Sequence, residues 1–447
     1  MSRGLILAAP ATGSGKTTLT LGLLRRLTQG GLDVTPAKVG PDYIDPAFHA
    51  AATGRPCLNL DTWAQPADSL DRLIATLSSG ELTLVEGVMG LFDGAPPPGP
   101  DGPAGASGDG STAALATLTG WPVILIVDGS RTGASLAALV RGFISHRPAV
   151  RVAGVIVNRV TSPRQAARLN AALAADLPTL PVLGTVPRDP ALALPSRHLG
   201  LVQAGEHADL ERFLDHAAAH VGAHVDVTAL TALALPHRRP APKPPGPARP
   251  LPPLGQRIAV ARDAAFAFCY PATLDGWHAA GAEILPFSPL ADHSPDPTAD
   301  AVYLPGGYPE LFAGQLANAH TFLDGLRAAA ARKAQVFGEC GGYMTLGRSL
   351  TDGDGTAHPM ANLLPIETSF AAPKLSIGYR RLTALEPSAL GPPGSPFRGH
   401  EFHYARETAN DAPPLFTATD ASGQNLGPQG ARLETTCGAF LHLIHTG

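Results

Sequence analysis

Ala9-Pro10-Ala11-Thr12-Gly13-Ser14-Gly15-Lys16-Thr17-Thr18 stands between an apolar run, 4–9, and a helical pattern, 16–29. A glycine-rich turn between a strand and a helix cradles phosphate with its backbone N–H groups and the helix N-terminus. Gly13 and Gly15 let the turn close on a phosphate. Lys16 is expected to reach the β- and γ-phosphates, and Thr17 to hold Mg²⁺. Pro10 replaces the first glycine of the usual pattern, and Ala11 stands where partner-activated variants carry an extra lysine.

Outward from this loop, apolar runs at 34–38, 82–86, 123–127, 153–157 and 182–186 alternate with helical patterns at 67–79, 111–119, 133–146, 163–176 and 207–220. Such alternation predicts an α/β fold, a parallel sheet wrapped by helices. Ligands of such sheets bind at the carboxyl ends of the strands. Glu86 and Asp128 end two of the predicted strands, and Asp93 follows in Gly90-Leu91-Phe92-Asp93-Gly94. Each alone reads as a turn residue; repeated at successive strand ends they point to a metal–phosphate pocket, with Glu86 as a Mg²⁺ ligand. Lys38-Val39-Gly40-Pro41-Asp42-Tyr43-Ile44-Asp45-Pro46 adds Asp42 and Asp45, three residues apart, which would hang over the same site or serve as turn aspartates. The glycine- and proline-rich stretch 96–110 predicts a loop over that site.

Pro236 to Gly255 is too rich in proline for helix or central strand and predicts a linker. The expected division is 1–235, a phosphate-loop domain; 236–255, the linker; and 256–447, a second domain. In that second half strands are expected at 257–261, 300–304, 334–337, 376–384, 397–404 and 437–444, with helices at 271–280, 318–332 and 341–348. Val336-Phe337-Gly338-Glu339-Cys340-Gly341-Gly342-Tyr343-Met344 places Cys340 on a strand-to-helix turn between glycines, the setting of a nucleophile elbow. Gly306 and Gly307, after another strand, can supply oxyanion N–H donors. His442, on an apolar strand, is the candidate base; His445 is its rival. His400-Glu401-Phe402-His403 lacks the spacing of a helical zinc protease.

The 447 residues suffice for two or three domains, and a net charge of −4 with 6% aromatic residues argues against nucleic-acid partners. No run reaches the length of a membrane span. The four cysteines form no C-x-x-C pair, which points to the reducing cytoplasm.

Residues 338–344 (GECGGYM), with Gly306-Gly307 upstream and a late His, resemble the class I glutamine amidotransferase domain of the cobyrinic/cobyric type. The N-terminal half resembles the ATP-dependent synthetase domain related to dethiobiotin synthetase. Residues 38–46 (KVGPDYIDP), Asn59-Leu60-Asp61, 85–94 (VEGVMGLFDG) and 195–201 (PSRHLGL) are similar to the cobyrinic or hydrogenobyrinic acid a,c-diamide synthase family, over nearly the whole chain. The resemblance implies a glutamine-hydrolysing ligase of cobalamin biosynthesis. Cys340 would release ammonia from L-glutamine through a thioester, with His442 as base. ATP and Mg²⁺ would convert the a- and c-carboxylates of a corrin ring to acyl phosphates, which ammonia turns into amides. Asp42, Asp45 and Asp93, with Tyr43 beside them, stand where the family places acidic residues for metal and substrate carboxylate. Asn158 stands where the related synthetase binds adenine. The C-terminal His-Leu-Ile run resembles enzymes acting on hydrogenobyrinate; a nickel-sirohydrochlorin-type synthase is the alternative within the class. A partition-type ATPase is the alternative outside it, and it would have no use for Cys340. Triad amidotransferases carry a Glu two residues after the histidine; here that position is Ile444, which leaves the third member open. A homodimer is compatible with the sequence.

Overall fold

The computed structural model describes residues 3–96, 108–197, 200–207, 209–239 and 247–447. Most of the loop expected over 96–110 and residues 240–246 of the expected linker lie outside the described residues. Two compact units result, one of described residues up to Ala95 and from 108 to 239, the other from Pro247 onward.

The first unit is a parallel sheet of β1 (Arg3–Ala8), β2 (Val34–Val39), β3 (Leu58–Leu60), β4 (Leu82–Glu86), β5 (Val123–Asp128), β6 (Val152–Val160) and β7 (Val182–Pro187), in the order β3-β2-β4-β1-β5-β6-β7. Its central strands are buried on both faces without alternation; Leu5, Ile6 and Leu7 of β1 are all fully buried. The chain crosses from β1 to β2 and β3, returns to β4 beside β1, then passes to β5 on the other side of β1. That reversal brings the carboxyl ends of β1 and β4 together, the place where such sheets bind ligands. Helix α1 (Lys16–Gln29) and helix α2 (Asp45–Thr53) begin just beyond the ends of β1 and β2. The short strand Leu235–Pro236 pairs antiparallel with the start of β1, so Pro236, the first residue of the expected linker, belongs to this sheet.

The second unit has a mainly parallel sheet of β8 (Arg257–Ala261), β9 (Glu283–Phe287), β10 (Ala301–Leu304), β11 (Gln335–Glu339), β16 (Ala431–Leu433) and β17 (Thr436–Ala439), in the order β9-β8-β10-β11-β17-β16. A second, antiparallel sheet contains β12 (Ser376–Ala384), β13 (Pro396–His403), β14 (Phe416–Asp420), β15 (Asn425–Gln429) and β18 (Leu441–Thr446), in the order β15-β14-β12-β13-β18. Alternation along the parallel strands divides the core. Ala259 and Val302 pack with helix residues such as Phe322 and Leu326. Val260 and Tyr303 pack with Leu382, Phe397, Phe416 and Leu443 of the antiparallel sheet. Leu251 and Leu254, inside the expected linker, are buried in that second cluster.

The single strand expected over 437–444 is two strands in two different sheets, broken at Phe440. The break has a packing cause: the Phe440 ring stacks on His403 at 4.0 Å and meets Tyr343 edge-on at 5.4 Å.

Candidate active sites

The phosphate loop ends at Gly15, whose φ of 86° is left-handed and whose Cα faces the Asn158 carboxamide, 2.3 Å from where a Cβ would stand. Glycine is required there on both counts. Asn158 donates to the Ser14 carbonyl at 2.9 Å, so it braces the loop from β6. It also lines a cavity of about 830 Å³ with Gly15, Asp128, Arg159, Arg188 and Asp189. Asp128 does not join the carboxylates near Glu86. It stands on the far side of β1, where it accepts from Arg159 at 3.0 Å.

Lys16 donates to the Met89 carbonyl at 2.6 Å, and burial lowers its pKa against the pull of Glu86. Thr17 donates to Glu86 at 2.7 Å and lies 3.4 Å from Asp45. Asp42 accepts from the N–H groups of Ile44 and Asp45, which turns the chain into α2. Asp93 accepts from Gly90 N–H at 2.8 Å and holds the turn after β4. Tyr43 is buried beside them.

Two residues that the sequence did not single out complete this cluster. Lys38, at the end of β2, lies 2.6 Å from Asp45, 3.0 Å from Glu86 and 3.7 Å from Asp42. His49 sits one helical turn after Asp45, on the same face of α2, and its Nε2 lies 2.6 Å from Glu86. Burial opposes charge on Lys38, but Asp45, Glu86 and Asp42 outweigh it and hold the ammonium well above its usual pKa. Burial, then Asp42, pushes Asp45 up to about 7. Glu86 is held ionised: burial would raise it, but Lys38 and His49 pull it below the usual range. Removing one partner of a buried ion pair leaves the other uncompensated, a cost of about 3–5 kcal/mol. Lys38→Met is therefore expected to lower unfolding free energy by roughly that amount, read as a lower urea midpoint.

The oxygen donors here suit magnesium. Among the described residues no group of three or more His, Cys, Asp and Glu side chains is arranged to hold a metal unaided. Magnesium ordinarily takes one or two carboxylates and fills its remaining positions with phosphate and water, which Glu86 and the Thr17 hydroxyl allow.

In the second unit Cys340 joins β11 to the helix Gly341–Leu346 with φ 45° and ψ −102°, a conformation that costs a non-glycine residue energy. Its N–H donates to the Ala439 carbonyl at 2.8 Å, and the neighbouring N–H of Gly341 favours the ionised thiol. Gly341 is thus a donor at the reacting position that the sequence analysis left unassigned. Gly306 faces both candidates. A Cβ on it would stand 2.3 Å from Cε1 of His442 and 3.3 Å from Cβ of Cys340, so only glycine lets the ring and the cysteine meet there. Gly307 packs against the Ala265 carbonyl. Burial pushes the Cys340 thiol far up, with Glu310 adding to it, and pushes His442 down to about 3. Both groups are therefore neutral at rest. His445 sits at the far end of β18 with its ring turned to the Thr446 carbonyl, and does not join this cluster.

A phosphate loop backed by carboxylates in one unit and a cysteine elbow facing a histidine in the other define a carbon–nitrogen ligase with a glutamine amidotransferase domain. Residues 5–202 match the CobQ/CobB/MinD/ParA nucleotide binding domain, and residues 257–447 match the CobB/CobQ-like glutamine amidotransferase domain. The chain is 52% identical over 446 residues to the hydrogenobyrinate a,c-diamide synthase of Rhizobium meliloti (strain 1021), covering 99% of each. It is 50% identical over 442 residues to the enzyme of that name from Rhodobacter capsulatus, covering 99% of this chain and 98% of the other. The chain belongs to the hydrogenobyrinate a,c-diamide synthase family. Among the described residues no helix is long and apolar enough to cross a membrane.

Proposed function

We propose that this chain converts the a- and c-carboxylates of hydrogenobyrinate to amides, using ATP and glutamine, as a step of cobalamin biosynthesis in the cytoplasm. The observation that carries the reading is the meeting of Cys340 and His442 across Gly306 in a chain that also holds Lys16, Thr17 and Glu86 around a phosphate loop. The Cys340 sulfur attacks the carboxamide carbon of glutamine while His442 takes the thiol proton. N–H groups of Gly341 and of the Gly306-Gly307 turn hold the oxyanion. His442 returns the proton to the departing nitrogen, ammonia leaves, and water cleaves the thioester to glutamate.

In the other unit a substrate carboxylate takes the γ-phosphoryl group of ATP, giving ADP and an acyl phosphate. Ammonia attacks that carbonyl, and phosphate leaves. Lys16 and the backbone N–H groups of Gly13 and Gly15 bind the phosphates, and Asn158 braces the loop beside a cavity with room for the nucleoside. Thr17 and Glu86 would hold Mg²⁺, which supplies positive charge to the transferring phosphoryl group. Asp42, Asp45, Asp93 and Tyr43 border the position of the substrate carboxylate, and Lys38 adds the cation that two anions brought together need.

Incubation with ATP, Mg²⁺, glutamine and hydrogenobyrinate is expected to add two amides, counted by mass. Cobyrinate and nickel-sirohydrochlorin in parallel reactions identify the ring. Turnover of ATP at full rate with none of these rings present would defeat the proposal.

A further inference from the structure

We infer that Glu339 is the positioning acid of His442, taking the part that Ile444 cannot play; this rests on the reading of Cys340 and His442 as nucleophile and base. Glu339 is the last residue of β11, immediately before the elbow, and is buried. Its Oε2 lies 4.0 Å from Nδ1 of His442, the ring nitrogen that a triad acid addresses. Both carboxyl oxygens are anchored. Oε2 accepts from the Tyr303 hydroxyl at 2.7 Å, and Oε1 accepts from the N–H of Leu443 at 3.0 Å. Leu443 follows His442 in β18, so the carboxyl group is tied to the strand that carries the imidazole.

Other acids nearby are committed elsewhere. Glu401 is held by Arg380 at 2.7 Å and His403 at 2.8 Å. Glu407 accepts from Tyr343 at 2.6 Å. Glu310 opposes thiolate formation at Cys340 most strongly of the nearby acids, ahead of Glu339 and Glu401. From β13, His400 stands directly opposite His442, and with His403 it opposes a charged ring. An imidazolium at His442 therefore needs a nearby anion. Burial holds the Glu339 carboxyl up at about 7, and a proton arriving on the ring beside it favours its ionised form.

The test is Glu339→Gln in the full chain. The amide keeps an acceptor for Leu443, removes the charge and turns the oxygen facing Tyr303 into a donor, which the Tyr303 hydroxyl can accept from. We expect glutaminase kcat to fall about tenfold or more, the scale of a weakened acid–base step, with KM for glutamine unchanged. The pH profile of Cys340 alkylation by iodoacetamide should move, because the carboxylate acts on both members of the thiolate–imidazolium pair, steadying the imidazolium and opposing the thiolate. Ammonia-driven amidation serves as the folding control. Wild-type kcat with an unmoved alkylation profile overturns the inference, as does a loss confined to KM or shared by ammonia-driven amidation. If Glu339→Gln does not fold, Tyr303→Phe decides. It frees one anchored oxygen and should lower glutaminase kcat several-fold; an unchanged kcat overturns the inference. Failure of the underlying reading looks different: Cys340→Ala would then retain glutaminase activity.

Discussion

Cys340→Ala is expected to lower glutamine-driven amidation about a thousandfold or more while ammonia-driven amidation continues. The thiol is the only part of the elbow that can bond to a carboxamide carbon. Its removal takes away the proposed thioester route, and a loss of that size corresponds to roughly 4 kcal/mol or more of transition-state stabilisation. The fold should survive. Alanine fills most of the same buried space, and the strained φ of 45° at this position is imposed by the surrounding strand–helix packing, whichever of the two residues occupies it. Glutamate release and amide count, measured side by side with each nitrogen source, separate the two half-reactions. Equal loss with both sources would mean that Cys340 matters to the whole chain and not to glutamine hydrolysis.

Lys16→Ala is expected to abolish amidation with either nitrogen source, by about a thousandfold or more, because a positioned cation on the phosphoryl group acts mainly in the transition state. The cluster makes this residue hard to replace. Lys16 lies in the field of Glu86, Asp45 and Asp93, and its loss leaves Lys38 as the remaining lysine among them. Anionic ATP would then approach a more negative site. The measurement is ADP formation that depends on the ring substrate, with Cys340 glutaminase activity as the folding control. Amidation at the wild-type rate would remove Lys16 from the site.

What the sequence revealed was what is local in the chain. The phosphate loop, Glu86 at the end of β4 and the Cys340 elbow each lie within about ten residues of the strand that presents them, and their chemistry follows from residue type and neighbours. Lys38 was visible in the same motif as Asp42 and Asp45, yet its role depends on Glu86, which joins it through the β2–β4 pairing. His49 needed the helical register of α2 to be placed. Asp128 looked equivalent to Glu86 by position at a strand end; the strand order separates them. Glu339 was hidden because its partners, Tyr303 and Leu443, come from strands far along the chain. The antiparallel sheet was only partly foreseen, since several of its strands are short and their hydrophobic pattern is set by packing against a neighbouring sheet.

The break at Phe440 couples two pieces of the glutaminase end. Ala439 is bonded to the N–H of Cys340 in one sheet, and His442, three positions later, is carried by the other. A single inserted or deleted residue between them would rotate the imidazole away from the sulfur by half a pleat, whatever the rest of the molecule does. Length variation in natural or engineered versions of this protein should therefore collect at exposed hairpin tips such as 352–356, and be absent from this short bridge.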